Sequence, residues 1–336
     1  MKRKNIIQAI FLALLICGTI FVAIQNHNAA YQHIEGKVFG TYYSITYQSA
    51  DNLQEDIEKA LKSVDNSLSM FNENSTLARL NRNEKVSIDD NLLYLFPRAI
   101  KVSEATDGAF DITVAPLVNA WGFGFKKEQW PSDKEVDSLK ALVGYQKVHL
   151  NDRTITKDNP NTMIDLSAIA KGYGSDIVAK TLDKAKVKNY MVEIGGEVVV
   201  KGKNDKGDDW KIGIAKPTTD EEAQAEGYQC ILAISDVAVA TSGNYRNFFY
   251  KDGVKYAHTI DPRTGHPVQQ NIISSTVVAT HCYEADAFAT SFMVVGLEKA
   301  KEILGKQSQL DAYLIYINKE GKQEVWMTEG MKKYIK

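Results

Sequence analysis

Short strand-like runs and helical patterns are interspersed along this chain, but never in the regular strand–helix–strand alternation of a doubly wound parallel sheet. That irregular order points to an α+β fold. Tyr42–Tyr47 is rich in aromatic and β-branched residues and reads as a strand. Between Leu53 and Leu68, Ile57, Leu61, Val64 and Leu68 recur at helical spacing. A second helix is expected from about Leu92 to Ala105, and a third from Ala168 to about Lys184, capped by Asp165 or Ser167. Strands are expected at Tyr190–Ile194, Glu197–Lys201, Trp210–Ala215, Ser275–Ala279 and Ala312–Ile317, with a helix from about Glu284. Asp252-Gly253, between Phe248–Tyr250 and Tyr256–Ile260, predicts a hairpin.

The N-terminus sets the organisation. Lys2, Arg3 and Lys4 precede a mostly apolar run from Ile6 to Ile24. At about 1.5 Å per residue such a run just spans a bilayer core, and the basic flank keeps its N-terminal end in the cytoplasm. A retained anchor, a cleaved signal peptide and a lipoprotein signal using Cys17 are the three readings. Ile16 is not the small residue a lipoprotein site needs, and Asn28-Ala29-Ala30 is a modest cleavage site, so the anchor is favoured. The expected division is an N-terminal transmembrane or signal helix (1–24), a polar linker (25–34) and one folded unit (35–336), exported to the extracytoplasmic side of the membrane.

Composition matters mainly by exclusion. A formal net charge of -2 gives none of the basic footprint of a nucleic-acid protein, so an anionic ligand must be held by local groups. Cys17, Cys230 and Cys282 form no CxxC pair, which argues against a zinc knuckle or a disulfide framework.

Several segments carry chemistry. In Glu284-Ala285-Asp286-Ala287-Phe288-Ala289-Thr290, a helix places Asp286 and Thr290 on one face. A carboxylate and a hydroxyl together suit Mg²⁺ or Ca²⁺ rather than zinc, although a helix start with a capping aspartate reads the same way. In Ile164-Asp165-Leu166-Ser167-Ala168-Ile169-Ala170-Lys171, a helix N-terminus offers free N–H groups to a phosphate, and Lys171 lies one turn in; an ordinary capped helix fits equally. Paired glycines in Glu193-Ile194-Gly195-Gly196-Glu197 suit a tight turn or close approach to a ligand. Ala240-Thr241-Ser242-Gly243-Asn244-Tyr245-Arg246 is either a set of diphosphate donors or a turn. His258-Thr259-Ile260-Asp261-Pro262-Arg263 puts a histidine, the side chain best suited to proton transfer near neutrality, beside an acid and an arginine. Thr106–Leu117 runs into Trp121-Gly122-Phe123-Gly124, which makes either a wall for a planar ring or a loop packed on the core.

Taken in order, Phe39-Gly40-Thr41, GAFDITVAPLVNAWGFG, IDLSAIAKGYG, VEIGGEVVVKG, ATSGNYRNF, HTIDPRTGHP and ADAFAT resemble the ApbE family, the FAD:protein FMN transferases, over nearly the whole exported portion. The resemblance implies a two-lobed fold of mixed sheets flanked by helices, with FAD bound in the cleft. It implies magnesium held by Asp286, Thr290 and the Ala168 carbonyl. It places Phe39, Asp111, Asp165, Lys171, Ser242, Arg246 and the Ile260 backbone at the flavin nucleotide, and Phe71 beside the isoalloxazine, where the family more often has tyrosine. Ser167 stands in place of a common glycine. The implied reaction moves FMN from FAD to a protein threonine with release of AMP. His258 is the expected base, and Asp286 is a poorer one because a metal ligand accepts protons badly. The implied acceptors are exported domains of respiratory flavoproteins of the sodium-pumping NADH:quinone reductase or Rnf type. An FAD pyrophosphatase uses the same metal and nucleotide site, and a non-catalytic flavin carrier would lack the metal pair or His258.

Overall fold

The structure, a computed structural model, describes residues 8, 10–19, 29–125, 130–217, 227–244, 248–251, 254–257 and 259–336. Strands β1 (Tyr31–Val38) and β2 (Thr41–Gln48) open the folded unit as a hairpin. Helices α1 (Gln54–Leu68), α2 (Thr76–Asn81), α3 (Asp90–Ala105), α4 (Ala115–Ala120) and α5 (Asp133–Lys140) follow. The hairpin of β3 (Val148–Asn151) and β4 (Thr154–Lys157) then leads into α6 (Ser167–Lys184). The next run is β5 (Tyr190–Ile194), β6 (Glu197–Lys201), β7 (Trp210–Ala215), β8 (Tyr228–Ile234) and β9 (Val237–Gly243). The hairpin of β10 (Phe248–Lys251) and β11 (Val254–Ala257) precedes β12 (Ile272–Ala279), and α7 (Cys282–Val295), α8 (Leu297–Lys306), β13 (Asp311–Ile317) and β14 (Gln323–Met327) complete the chain.

The central sheet has eight strands in the order β1-β2-β5-β6-β9-β12-β13-β14. The α+β expectation holds, but the expected mixed pairing does not: every pairing in this sheet is antiparallel. Residues 49–189 leave the sheet after β2 and return beside it as β5, so strands that are neighbours in space are separated by all of α1–α6.

Alternation along the strands sorts the two faces. Ala240, Val277, Ala279, Ala312 and Leu314 join the core beneath α6 and α7. Their neighbours Val239, Val278, Tyr313 and Ile315 point to the opposite face, which the β7–β8 hairpin covers with Trp210, Ile214, Leu232 and Ile234. The smaller lobe, formed by residues 69–166, shares the first of these cores through Leu77, Leu92, Phe96 and Phe110. The two lobes therefore meet on continuous apolar packing, with a cavity opening between them.

Three sequence expectations change. Residues 31–34, expected in a linker, belong to β1; as a solvated edge strand it alternates exposed His33, Glu35 and Lys37 with less exposed positions, which hides it in a hydrophilic stretch. The hairpin strand expected to reach Ile260 ends at Ala257, and Ile260 forms an isolated bridge with Pro267. Residues 10–19 are helical, with Phe11, Leu12 and Leu14 exposed. Among the described residues, however, no helix is long and apolar enough to cross a membrane. A helix of that length rises about 15 Å, half a bilayer core, and the rest of the apolar run lies outside the described residues.

Candidate active site

Two helices build the floor of the site. α6 begins at Ser167, and its cap position is Leu166 rather than Asp165 or Ser167. Asp165 still serves the helix end: its Oδ1 accepts the Ser167 N–H at 2.8 Å. α7 begins at Cys282, two residues before the expected start, because its first N–H groups find an acceptor on another element. The Asp176 carboxylate of α6 accepts the Cys282 N–H at 2.9 Å and the Tyr283 N–H at 3.0 Å.

In the other direction, Asp286 Oδ2 on α7 accepts the Gly172 N–H of α6 at 3.0 Å. The ordinary helical partner of that N–H is the Ala168 carbonyl, so the bond to Asp286 draws on the same donor. Gly172 is required by the close approach: a methyl there would overlap the Cys282 carbonyl and come within 2.9 Å of Asp286 Cβ. One turn beyond Asp286, the Thr290 hydroxyl meets Ser242 Oγ of β9 at 3.0 Å. Ser242, expected in a turn or a diphosphate loop, is a strand residue that reaches the site from the sheet.

Between these helices and the sheet, the Lys171 ammonium pairs with Glu197 Oε1, the first side chain of β6. Glu197 is 3% exposed, and its Oε2 has no hydrogen-bond partner among the described residues. The cluster thus holds two carboxylates, Asp286 and Glu197, against one ammonium. Burial, then the Asp286 charge, push the Glu197 carboxyl well above its ordinary range, against the pull of Lys171. Burial also raises Asp286, with Lys171 and the Gly172 N–H opposing. Burial alone would lower Lys171, but the Asp286 and Glu197 charges hold it above the ordinary lysine value, so it stays a cation.

This cluster lies in a cavity of about 420 Å³. One wall is the smaller lobe, with Phe71, Phe110, Asp111, Asn119 and Phe123. The other is the sheet lobe, with Ala168, Lys171, Glu197, Ser242, Ile260, Asp286 and Thr290, and Asp165 lines the cavity where the two lobes join. Nine residues expected at the site therefore meet there: Phe71, Asp111, Asp165, Ala168, Lys171, Ser242, Ile260, Asp286 and Thr290. Phe71 stands at the rim, 66% exposed, edge-on to Phe125 with ring centroids 5.3 Å apart. The glycine–aromatic segment is split between the cavity wall and the core. Phe123 and Gly124 line the cavity, while Trp121 is buried and donates its Nε1–H to the Gly265 carbonyl at 2.8 Å.

Two expected residues have other surroundings. Phe39 is absent from the cavity wall; its ring packs over Gly174, where a Cβ would come within 2.5 Å of it. Asp111 lines the cavity, but its oxygens are engaged. Oδ1 accepts from the Thr113 N–H at 2.8 Å and its hydroxyl at 2.6 Å, and Oδ2 from the Tyr145 N–H at 2.8 Å, an arrangement that ties two loops. Arg263, the arginine of the His258 segment, is paired side by side with Asp261 at 2.8 and 2.9 Å. His258 and Arg246 lie outside the described residues.

Sequence reasoning missed Glu197 at the site and Asp176 outside it, between the two helices that carry it. The visible signal for Asp176 was a charge in the middle of a helix whose neighbours Ser175, Val178 and Ala179 are all buried. Its carboxyl is pushed up to about 7 by burial and by the Glu284 and Asp286 charges, against its two backbone N–H partners. The folded chain therefore holds a proton at Asp176 that the unfolded chain releases near 3.8. The resulting stabilisation is present below pH ~4 and is lost as pH rises to ~7. In scanning calorimetry of metal-free protein, the Tm advantage of wild type over Asp176→Asn should shrink across that window. A gap that stays constant or widens would contradict the raised carboxyl.

Asp286, Thr290 and Ala168 all line the cavity, and a carboxylate, a hydroxyl and a backbone carbonyl are hard oxygens of the kind that suit Mg²⁺ or Ca²⁺. Two buried carboxyls whose charged forms a cation would stabilise, and the orphaned Glu197 oxygen, also favour a cation. Among the described residues no group of three or more His, Cys, Asp or Glu could hold a metal by itself. A cation here must share its shell with hydroxyl, carbonyl and ligand oxygens.

The ApbE family model matches residues 39–314. The chain is 38% identical over 303 residues to a Vibrio cholerae FAD:protein FMN transferase, covering 87% of this chain and 89% of the relative. It is 34% identical over 345 residues to the Escherichia coli K12 protein of the same name, covering 96% of each. The solved structure of the flavin transferase ApbE from Vibrio cholerae superposes with a TM-score of 0.83 at 36% identity, over 91% of this chain and 99% of that one. With a family match across most of its length and relatives at this identity, the chain belongs to the ApbE family.

Proposed function

We propose that this protein transfers the FMN moiety of FAD to a threonine hydroxyl of an acceptor flavoprotein, with AMP as the leaving group. The observation that carries this reading is the meeting of Asp286, Thr290, Lys171 and Ala168 at one cavity, in a chain similar over most of its length to proteins named FAD:protein FMN transferases. The threonine oxygen forms a bond to the FMN-side phosphorus, the bond from that phosphorus to the bridging oxygen breaks, and AMP departs with that oxygen. Such transfers are catalysed chiefly by positioning and by neutralising charge on the transferring group.

Asp286, Thr290 and the Ala168 carbonyl would hold the ion. Bound magnesium supplies charge neutralisation and orientation to the diphosphate. Lys171, kept charged by its carboxylate neighbours, directs its remaining N–H groups to phosphate oxygens. Asp165 and Ser242 contribute polar edges for the nucleotide, the Ile260 backbone contacts it, and Phe71 offers a ring face to the isoalloxazine. His258 takes the hydroxyl proton, with Arg246 as a further phosphate donor. The basic N-terminus and the apolar run from Ile6 to Ile24 support attachment to the cytoplasmic membrane with the site on its outer side. That placement suits exported acceptor domains of sodium-pumping NADH:quinone reductase or Rnf type.

The test is mass spectrometry of such an acceptor domain after incubation with the protein, FAD and Mg²⁺. The expected result is a gain of one FMN on threonine with AMP released, abolished by EDTA. AMP and free FMN beside an unmodified acceptor would replace this reading with FAD hydrolysis. Bound FAD with neither product would replace it with a carrier.

A further inference from the structure

Asp176 is the positioning residue, we infer, that fixes the spacing and register of the two site helices, and so the geometry with which Asp286 and Thr290 face Ala168 and Lys171. The inference rests on the metal-dependent reading above.

Four observations carry it. Asp176 and Asp286 form reciprocal clamps: the carboxylate on α6 takes two backbone N–H groups of α7, and the carboxylate on α7 takes one from α6. On each helix the two clamp positions, Gly172 with Asp176 and Cys282 with Asp286, are four residues apart, so the clamps are one turn from each other along both axes. Gly172 brings the helices close enough for both to form. His281 supplies no side-chain cap to α7, which leaves Asp176 as the acceptor for its first two N–H groups. Asp176 itself is absent from the cavity wall, so whatever it contributes passes through the helix it holds.

A residue that merely capped α7 would matter for stability alone. A residue that sets helix spacing must also set metal affinity, because Asp286 and Thr290 ride on one helix and the Ala168 carbonyl on the other. Partners that orient a metal ligand typically contribute about 10–100-fold to affinity.

The experiment is calorimetric titration of Mg²⁺ into the full chain in the presence of FAD at pH 7.5, with the Mg²⁺ dependence of the transfer rate and the Tm measured alongside. Asp176→Asn keeps the size but loses one of the two acceptors. Asp176→Glu keeps the charge and both oxygens but adds a methylene that spreads the helices. The expected result is Mg²⁺ binding weakened about tenfold or more in Asp176→Asn and at least about threefold in Asp176→Glu. The rate at saturating Mg²⁺ should return to within about threefold of wild type. Should Asp176→Asn fail to fold, Asp176→Glu decides alone. Mg²⁺ affinities within twofold of wild type would overturn the inference, as would an Asp176→Glu protein that binds metal normally while only Asp176→Asn loses stability. Wild-type protein that takes up no Mg²⁺ beside FAD would instead overturn the metal-dependent reading itself, and the inference with it.

Discussion

Asp286→Ala will lower flavin transfer by about a thousandfold while the protein stays folded. The carboxylate is the only negatively charged group in the proposed ligand set, and the other two donors are neutral. A metal ion contributes several kcal/mol of transition-state stabilisation, and each ~1.4 kcal/mol is tenfold in rate. The fold should tolerate the change because Asp286 is a carboxylate disfavoured by burial. Its removal frees only the Gly172 N–H, which has the Ala168 carbonyl one turn back as a second acceptor. The assay is the initial rate of FMN incorporation into the acceptor, with circular dichroism to confirm folding. A folded variant retaining more than a tenth of the wild-type rate would remove Asp286 from the metal site.

Gly172→Ala is expected to damage both stability and activity through one added methyl. The new Cβ has nowhere to go, since the Cys282 carbonyl and Asp286 Cβ are parts of a packed helix rather than a flexible chain end. Overpacking of this kind costs ~1–3 kcal/mol and is relieved only if α6 and α7 separate. For a chain of this size that is a fall in Tm of roughly 5 °C, together with loss of the Gly172–Asp286 hydrogen bond and hence of metal affinity. Gly305→Ala makes the control, because nothing stands within 4 Å of its added Cβ. Equal melting temperatures for the two variants would show that the helices are not in the contact described.

How much of this was visible beforehand follows from the range of each interaction. Asp286 and Thr290 could be paired from sequence because their relation is local, four residues along one helix. β5, β6 and β7 have the expected limits, short apolar runs that end up half or wholly buried. The Lys171–Glu197 and Asp176–Cys282 contacts could not be read, since they join residues 26 and 106 apart and depend on how a sheet and two helices close. β1 escaped because an edge strand facing water carries a polar sequence. Ser242 was read as a diphosphate donor or a turn residue because small polar side chains favour turns, whereas the pairing of β9 with β12, with Ser242 opposite Ser275, makes it a strand residue here. The order of motifs, more than any one of them, pointed to the family.

The excursion of residues 49–189 between adjacent strands also determines when the site comes into being. A chain emerging from its N-terminus can form the β1–β2 hairpin early, from local contacts. Asp286 meets Gly172 only across 114 residues, and closing so long a loop is slow. The last strands in sequence, β12 to β14, form one end of the sheet, so α7 docks late. Until then Lys171 and Glu197 have met without the second carboxylate, and nucleotide chemistry cannot begin on an incomplete chain. Synthesis and folding must therefore finish before any flavin is committed.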